Sequence, residues 1–387
     1  MNMRVAVLAL LAACGKPPAI PVASNTITTR DSAGVAIVEH PAGALSQAPR
    51  FRLGAPTVTI GGSKADALRE MSFVTSALFL GADRFIVADD RAYRVVLFDS
   101  AGTPLGSYGR HGDGPGEFRD RPAPHRADDG SIWLLDRPAR LIRLSPELLL
   151  RTDISLAVSA SSDQLLLPVR DGALLAVRRA PILPTQLDES VQRNREFLVR
   201  ITATGSDTLA SWPGLDWYPI KAGDSTAGLL GYRDVEFGRK TIVKLWGNRL
   251  VVGTNQGWAF DVHDSTGVLR MRVALAEPAR LVTEAMRDSI KARQRAAVGS
   301  RFADSVAHYE DVIGAADGAL WVAETVVPTE NVRRFAVFNT AGHLTRRVEM
   351  PARYRLLAAD GDRVLVRRLD QNGVAYLDLA RLIAVSP

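Results

Sequence analysis

The chain has 387 residues, 47% of them hydrophobic and 23% charged, which excludes an intrinsically disordered protein and leaves enough apolar material for one large β domain or two smaller ones. Its 48 basic residues exceed the 42 acidic ones to give a net charge of +6, but only six are lysine and the arginines are spread along the chain. No basic stripe gathers, so nucleic acid is not an expected partner.

In chain order, Arg4 gives a positive start, residues 5–11 an apolar run, and Leu11-Ala12-Ala13-Cys14 closes it with small residues before the only cysteine. This reads as a cleavable secretion signal over 1–13. The apolar run is far shorter than the roughly 20 residues a membrane-spanning helix needs. Residues 14–30 are polar and proline-containing, as a tether should be. The tetrapeptide resembles the bacterial lipobox, which implies acylation of Cys14 as the mature N-terminus. A buried thiol is the bland alternative. Gly15 after the cysteine fits, by analogy with enteric lipoproteins, sorting to an outer membrane where the cell has one. The expected location is therefore the cell envelope, lipid-anchored and facing the periplasm or the surface.

From residue 31 to 387 a polar tip followed by an apolar strand recurs: GADRFIVADD from Gly81, ADDGSIWLLD from Ala127, VRDGALLAVR from Val169, LWGNRLVVGT from Leu245, AADGALWVAE from Ala315 and AADGDRVLVR from Ala358. Asp-Gly tips between apolar runs mark β-hairpins. A second strand follows each copy and often ends in a tight turn, as in RVVLFDSAG, AFDVHDSTG and RFAVFNTAG. Markers Asp83, Asp129, Asp171, Gly247, Asp317 and Gly361 are 46, 42, 76, 70 and 44 residues apart. Propeller blades run about 40 to 45 residues. The spacing predicts an all-β fold, a six-bladed β-propeller of four-stranded antiparallel blades with two long insertions. The last copy has room for three strands, so residues 57–60 are expected to complete it, with a further strand at 35–38.

GRHGDGPGEF from Gly109, with DDGSIWLLD after it and RVVLFDSAG before it, resembles the NHL-type repeat and the bacterial six-bladed propeller lipoproteins that carry it. The likeness implies a fold and no reaction. The glycine segment itself is expected to be a blade-to-blade connector, since glycine allows reversals and Pro115 fixes φ. A phosphate cradle would need a helix after it.

Strand alternation places the first-to-second and third-to-fourth turns on one face and the remaining loops on the other. The second face holds nearly all the excess length: 180–195, 212–240, 276–309 and 325–331. Residues 278–308 read as a helical insertion between blades 4 and 5, with Leu281, Met286, Ile290, Ala297 and Phe302 as its apolar stripe. Binding is expected on this face. Trp217, Tyr218, Arg233, Arg239 and Lys240 combine aromatics with cations suited to a glycan or protein partner, and a local mini-core is the alternative. His125, Arg126, Lys244, Glu310, Asp311 and Arg355 open or line innermost strands and are candidates at the channel.

The expected function is a lipid-anchored envelope module binding a protein, peptide or glycan, with no catalytic residue assigned and no cofactor required. The alternative is a metal-dependent lyase or hydrolase at the channel mouth, using calcium or zinc, for which His111, His125 and His308 are weak candidate ligands. No Gly-X-Ser-X-Gly or HEXXH motif occurs.

Overall fold

The computed structural model describes residues 26–62, 67–120, 122–127, 129–136, 140–155, 164–168, 173–180, 190–202, 204–221, 229–293 and 300–386. The expected signal segment, Cys14 and the start of the tether lie outside these residues, as do 181–189, 222–228 and 294–299 of the predicted insertions, Ala297 among them.

The described chain begins with a hairpin, β1 (Thr28–Ser32) and β2 (Val35–His40), then a helical turn α1 (Ala44–Gln47) and the long strand β3 (Arg50–Ile60). Antiparallel units follow. Unit I is β4 (Val74–Phe79), β5 (Arg84–Asp89), β6 (Arg94–Asp99) and β7 (Pro104–Tyr108). Unit II is β8 (Ala123–Arg126), β9 (Ile132–Asp136), β10 (Arg140–Leu144) and β11 (Leu150–Ser155). Unit III is β12 (Gln164–Pro168), β13 (Leu174–Arg179), β14 (Gln192–Ile201) and β15 (Ser206–Lys221), with β16 (Leu229–Asp234) added outside β15. Unit IV is β17 (Thr241–Trp246), β18 (Arg249–Thr254), β19 (Ala259–His263) and β20 (Leu269–Leu275). A segment with β21 (Arg280–Leu281), α2 (Glu284–Arg293) and β22 (Ser305–Val306) leads to unit V, β23 (Tyr309–Gly314), β24 (Leu320–Glu324), β25 (Val332–Phe338) and β26 (Leu344–Pro351). Unit VI has β27 (Arg355–Asp360), β28 (Arg363–Leu369) and β29 (Ala375–Ala384), and its fourth strand is β3.

The pairing of β3 with β29 runs through Ile60 with Leu377, Thr59 with Asp378 and Val58 with Leu379. The same strand pairs in parallel with β26 through Arg50, Phe51 and Arg52. Further upstream, β2 lies parallel to β20. The N-terminal segment thus straps the outer edges of units IV, V and VI in turn.

First strands of the units lie against one another, β27 beside β4, β4 beside β8, and β17 beside both β12 and β23. Four-stranded meanders packed face to face with their first strands at the centre form a β-propeller. Sequence and burial agree on this. Middle strands such as β5 and β6 are continuous apolar runs because both faces are covered, whereas the outer β7 alternates. Each neighbouring pair of units shares its own apolar cluster. Ile86, Val95, Ile132 and Leu134 join I to II, Leu135, Leu174 and Val199 join II to III, and Val177, Leu198 and Val252 join III to IV. Phe260, Val273, Val322 and Phe338 join IV to V, and Trp321, Phe335, Val364 and Leu382 join V to VI. Ile60, Phe79, Phe85, Leu365 and Leu377 join VI back to I. Burying each such side chain contributes about 1.5–3 kcal/mol.

In units I to V the third-to-fourth turn, and in unit VI the β28–β29 turn, is locked by a local side chain. Asp99, Asp264, Asn339 and Asp370 each accept two backbone N–H groups two and four residues on, at 2.8–3.0 Å. The Ser145 hydroxyl accepts the Glu147 and Leu149 N–H groups in unit II, and the Thr202 hydroxyl those of Thr204 and Gly205 in unit III, at 3.2–3.3 Å. These are Asx and ST turns, which need nothing beyond their own few residues.

Two expectations change. Residues 278–308 do not form one helix: α2 covers only Glu284–Arg293, with Thr283 at its N-cap, its hydroxyl 3.4 Å from the Met286 N–H. Pro278 precedes it, and Leu281 sits in β21, 70% exposed, where pairing of Arg280 with Val306 holds the chain extended. Residues 212–240 are not a free loop either, since β15 continues to Lys221 and β16 returns beside it.

Gly102 closes the last turn of unit I at φ +77°, and a Cβ there would overlap Val58 of β3. Gly130 has φ +79° and open space around it. Gly130→Ala is expected to cost about 1–2 kcal/mol for the left-handed backbone, and Gly102→Ala roughly 1–3 kcal/mol more for the overlap. Urea unfolding midpoints of the two variants measure the difference, and equal losses would mean that β3 is not tightly seated.

Candidate functional site

The links that enter the innermost strands are pinned by buried polar side chains at the ends of second strands. Asp89 accepts the N–H groups of Ser72 and Phe73 at 3.1 and 3.0 Å, and Asp136 those of Arg119 and Asp120, both at 2.9 Å. Asn255 accepts the Lys240 N–H at 2.9 Å. Each of these three side chains is at most 2% exposed. The cost of burying them is met by these bonds, and the residues opening the channel acquire fixed positions.

GRHGDGPGEF is such a link. Phe118 is fully buried in the cluster between units I and II, and Gly109, at φ +105°, must be glycine because a Cβ would overlap that ring. Glu117 accepts from the Gly114 N–H and from Arg110 Nε, both at 2.8 Å, and Arg140 donates to the Glu117 carbonyl at 2.7 Å. The chain then enters β8, not a helix, so no phosphate cradle forms.

The long segments of units III to V pack on one another. Val282, Met286, Val306 and Val327 form a small core with Phe237 and Phe302. Trp217 and Tyr218, candidates for a ligand face or for a local mini-core, are 2% and 4% exposed and take the second role. Tyr232 lies edge-on to Trp217 at 6.0 Å, and the Arg301 guanidinium covers Tyr218 at 5.1 Å. Arg239 is bound to Asp216 at 3.1 Å, with Arg193 on the same carboxylate at 2.6 Å, and its Nη1 reaches Gln256 at 3.0 Å. Trp217 and Tyr218 thus hold the cap together from inside, while Arg239 is tied to Asp216 with its side chain still 45% exposed. Arg233 stands opposite Tyr218 on β16, partly buried, while Tyr232 beside it is 49% exposed. Lys240 lies near Glu196, whose pKa is raised by burial, with Arg179 and Lys240 opposing.

Nearer the axis, the structure gathers three candidates from different units. Lys244 of β17 pairs with Asp311 of β23 at 3.5 Å. His125 of β8 feels the Lys244 charge although unit III lies between their sheets. Its Nε2 is inaccessible and has no hydrogen-bond partner among the described residues. Burial first, then the Lys244 ammonium, pushes His125 down to about 4. The ring is therefore neutral at pH 7. The Lys244–Asp311 pair is about 40% exposed on both sides, so it is screened by solvent and worth at most about 1 kcal/mol. It can exchange partners with a polar ligand at little cost.

The other candidates do not join this group. Arg126 is exposed at the far end of β8. Glu310 pairs with Arg333. Arg355 is exposed and stands opposite Arg367 on β28. His111 is exposed with its ring 4.5 Å from Tyr93, and His308 lies 6.4 Å from Trp258. The three histidines are held on separate links, and among the described residues no group of three or more metal-ligating side chains gathers. Arg367 and Phe73 were absent from the sequence-derived candidates. Their only signal was position, one on a second strand and one just before a first.

No family model and no curated protein matches the sequence. Among solved structures, a putative exported protein from Bacteroides fragilis is similar at 11% identity, covering 87% of this chain and 99% of its own, with a TM-score of 0.47. A DUF4221 family member from Bacteroides vulgatus gives the same values. A catalytically inactive virginiamycin B lyase from Staphylococcus aureus, solved with quinupristin, shares 12% identity over 84% of this chain and 83% of its own, with a TM-score of 0.36. Likeness at this level leaves the functional reading to this chain's own residues.

A neutral buried histidine gives a pH dependence with a definite sign. The folded-state pKa of about 4 lies below the ordinary 6.5, so the unfolded chain takes up the proton first as pH falls. Stability contributed at His125 is present above pH 6.5 and is lost as pH drops toward 4. His125→Gln is expected to reduce the fall in urea midpoint between pH 7 and pH 5. Identical falls in both proteins would show that the ring is not held neutral.

Proposed function

We propose that the protein is a lipid-anchored binding module of the bacterial envelope, a six-bladed propeller closed by its own N-terminal strand, and that it binds a protein, peptide or glycan on the face carrying the long segments. The observation that carries this reading is the difference between the two ends of the units. At one end the third-to-fourth turns of units I to V are short and held by their own Asx or ST bonds. The other end bears the β15–β16 hairpin, α2 and a small core of its own. Long segments seldom persist in a compact domain without use, and binding residues concentrate on loops held by a rigid scaffold.

Six units, each sharing a cluster with the next and the last with the first, support the closed ring. The lipobox-like Leu11-Ala12-Ala13-Cys14 supports export and anchoring. The described chain begins at the outer rim, with β1 beyond unit IV. An anchor attached there leaves the long-segment face accessible.

A photo-crosslinking residue in place of Tyr232 on the β15–β16 hairpin is expected to give adducts in intact envelopes. The same residue in place of Val268, 47% exposed in a short turn at the opposite end, is expected to give none. Equal labelling at both ends would remove the long-segment face as the binding surface. Cys14→Ser is expected to abolish incorporation of labelled palmitate and to move the protein from the membrane to the soluble fraction. Unchanged labelling would remove the anchor.

A further inference from the structure

The β1–β2 hairpin is the outermost layer of unit IV and the first described element after the expected tether. All five residues of β1 are exposed. β2 is held by its parallel pairing with β20, from Ala36 with Met271 to His40 with Leu275, and by two buried side chains. Val38 enters the cluster between units IV and V. His40, 3% exposed, stands edge-on to the Phe338 ring of β25 at 5.7 Å. Ring closure does not use this hairpin, because β3 supplies the fourth strand of unit VI.

His40 bonds through its two ring nitrogens to two different units. Nδ1 lies 3.1 Å from the Ala274 carbonyl of unit IV, and Nε2 accepts the Leu344 N–H of unit V at 2.9 Å. Only the neutral ring with its proton on Nδ1 makes both bonds. A second proton, on Nε2, would set one N–H against another and bury a charge, which costs more than the lost bond alone. The charged groups on the surrounding elements have other partners. Glu39 of β2 pairs with Arg30 of β1 at 4.0 Å, Arg272 of β20 with Asp261 at 2.7 Å and Arg347 of β26 with Glu324 at 2.6 Å, while Glu277 accepts the Leu45 N–H at 3.0 Å. His343, just before β26, has its Nε2 3.2 Å from Thr29 Oγ1 of β1. Burial lowers the His40 pKa below the ordinary 6.5, the Ala274 bond acts the other way, and the His343 charge adds to the lowering.

We infer that the β1–β2 hairpin is an acid-released strap: protonation of His40 frees it from units IV and V while β3 keeps the ring closed. The sign follows from linkage. The released ring titrates at the ordinary value and the docked ring below it, so docking is favoured above pH 6.5 and weakens as pH falls from 6.5 toward the docked value. Release uncovers the outer edge of β20. It also turns residues 28–40 into tether, adding roughly 40 Å of reach at full extension. The release itself needs no anchor; its use as a longer link between membrane and ring rests on the lipid-anchor reading.

Electron-spin distance measurements on the full-length chain carrying Cys14→Ser test the strap, with labels introduced by Ser32→Cys on the hairpin and Ser265→Cys on unit IV, both exposed positions. A reference pair, Ser265→Cys with Gln371→Cys, spans two exposed turns of the ring. Between pH 7 and pH 5 the longer, released population of the hairpin pair is expected to grow roughly tenfold, within the tenfold per pH unit that one proton allows, while the reference distance stays the same. An unchanged hairpin distribution overturns the proposal, and so does an equal change in the reference pair, which would report loosening of the whole ring. His40→Gln, neutral at every pH, is expected to give the same hairpin distribution at both pH values. A pH response in that variant as large as the parent's overturns the proposal. Crosslinks at Tyr232 and palmitate labelling of Cys14 are read on other forms of the protein, so failure of the strap is separable from failure of the binding face or of the anchor.

Discussion

Unit VI has only three strands of its own, and the edge of β29 would be left unpaired without a strand from more than 300 residues earlier in the chain. An open edge is a template for aggregation. β3 covers it, and it does so while its first residues also pair with β26, so that one strand joins two sheets by backbone hydrogen bonds. The register is reinforced from the side chains: Thr59 donates to the buried Asp378 at 2.7 Å, and Arg368 holds the other oxygen of that carboxylate at 2.7 Å. Ile60 then enters the cluster between units VI and I. A second strap lies upstream. His40, whose pKa burial lowers, donates from Nδ1 to the Ala274 carbonyl at 3.1 Å and accepts the Leu344 N–H at Nε2 at 2.9 Å, tying β2 to units IV and V.

With the edges fixed, the two ends of the units are free to differ. One end is made of turns whose bonds are complete within five residues, and such turns hold their shape whatever surrounds them. The other end depends on longer-range support. Asp89, Asp136 and Asn255 must be delivered to the incoming links by the second strands, and only then do the links present fixed side chains. The cap over units III to V extends the same principle, since Tyr218, Arg301, Phe302 and Phe237 meet there from segments more than 60 residues apart. Chemical variety collects where the scaffold positions residues without using them all.

The centre and the rim of that end have different chemistry. His125, Lys244 and Asp311 form a group close to electrical balance, with a neutral ring and a screened ion pair. Arg355 and Arg367 place like charges opposite each other, with Arg367 over the Phe73 ring. A sheet can carry opposed like charges when other contacts compensate, here the Val74 carbonyl and the Phe73 ring for Arg367.

Much of the fold was legible because its causes are local. Asp-Gly tips, apolar alternation and the DSTG or NTAG turns act within a few residues, and their recurrence every 42 to 46 residues in uninterrupted stretches exposed the repeat. The shortage of one strand in the last copy even pointed to residues 57–60, which lie on β29. What the sequence by itself determined, then, is the strand repeat, the turn chemistry and the lipobox-like start. Tertiary structure alone decided which side chains meet. Trp217 and Tyr218 are buried because Tyr232 and Arg301 cover them, the chain around Leu281 is extended rather than helical because Arg280 pairs with Val306, and Arg355 faces Arg367 because of the β27–β28 register. Each of these depends on contacts between distant segments, and a linear pattern encodes a residue's own preferences but not the identity of the neighbour that folding brings to it.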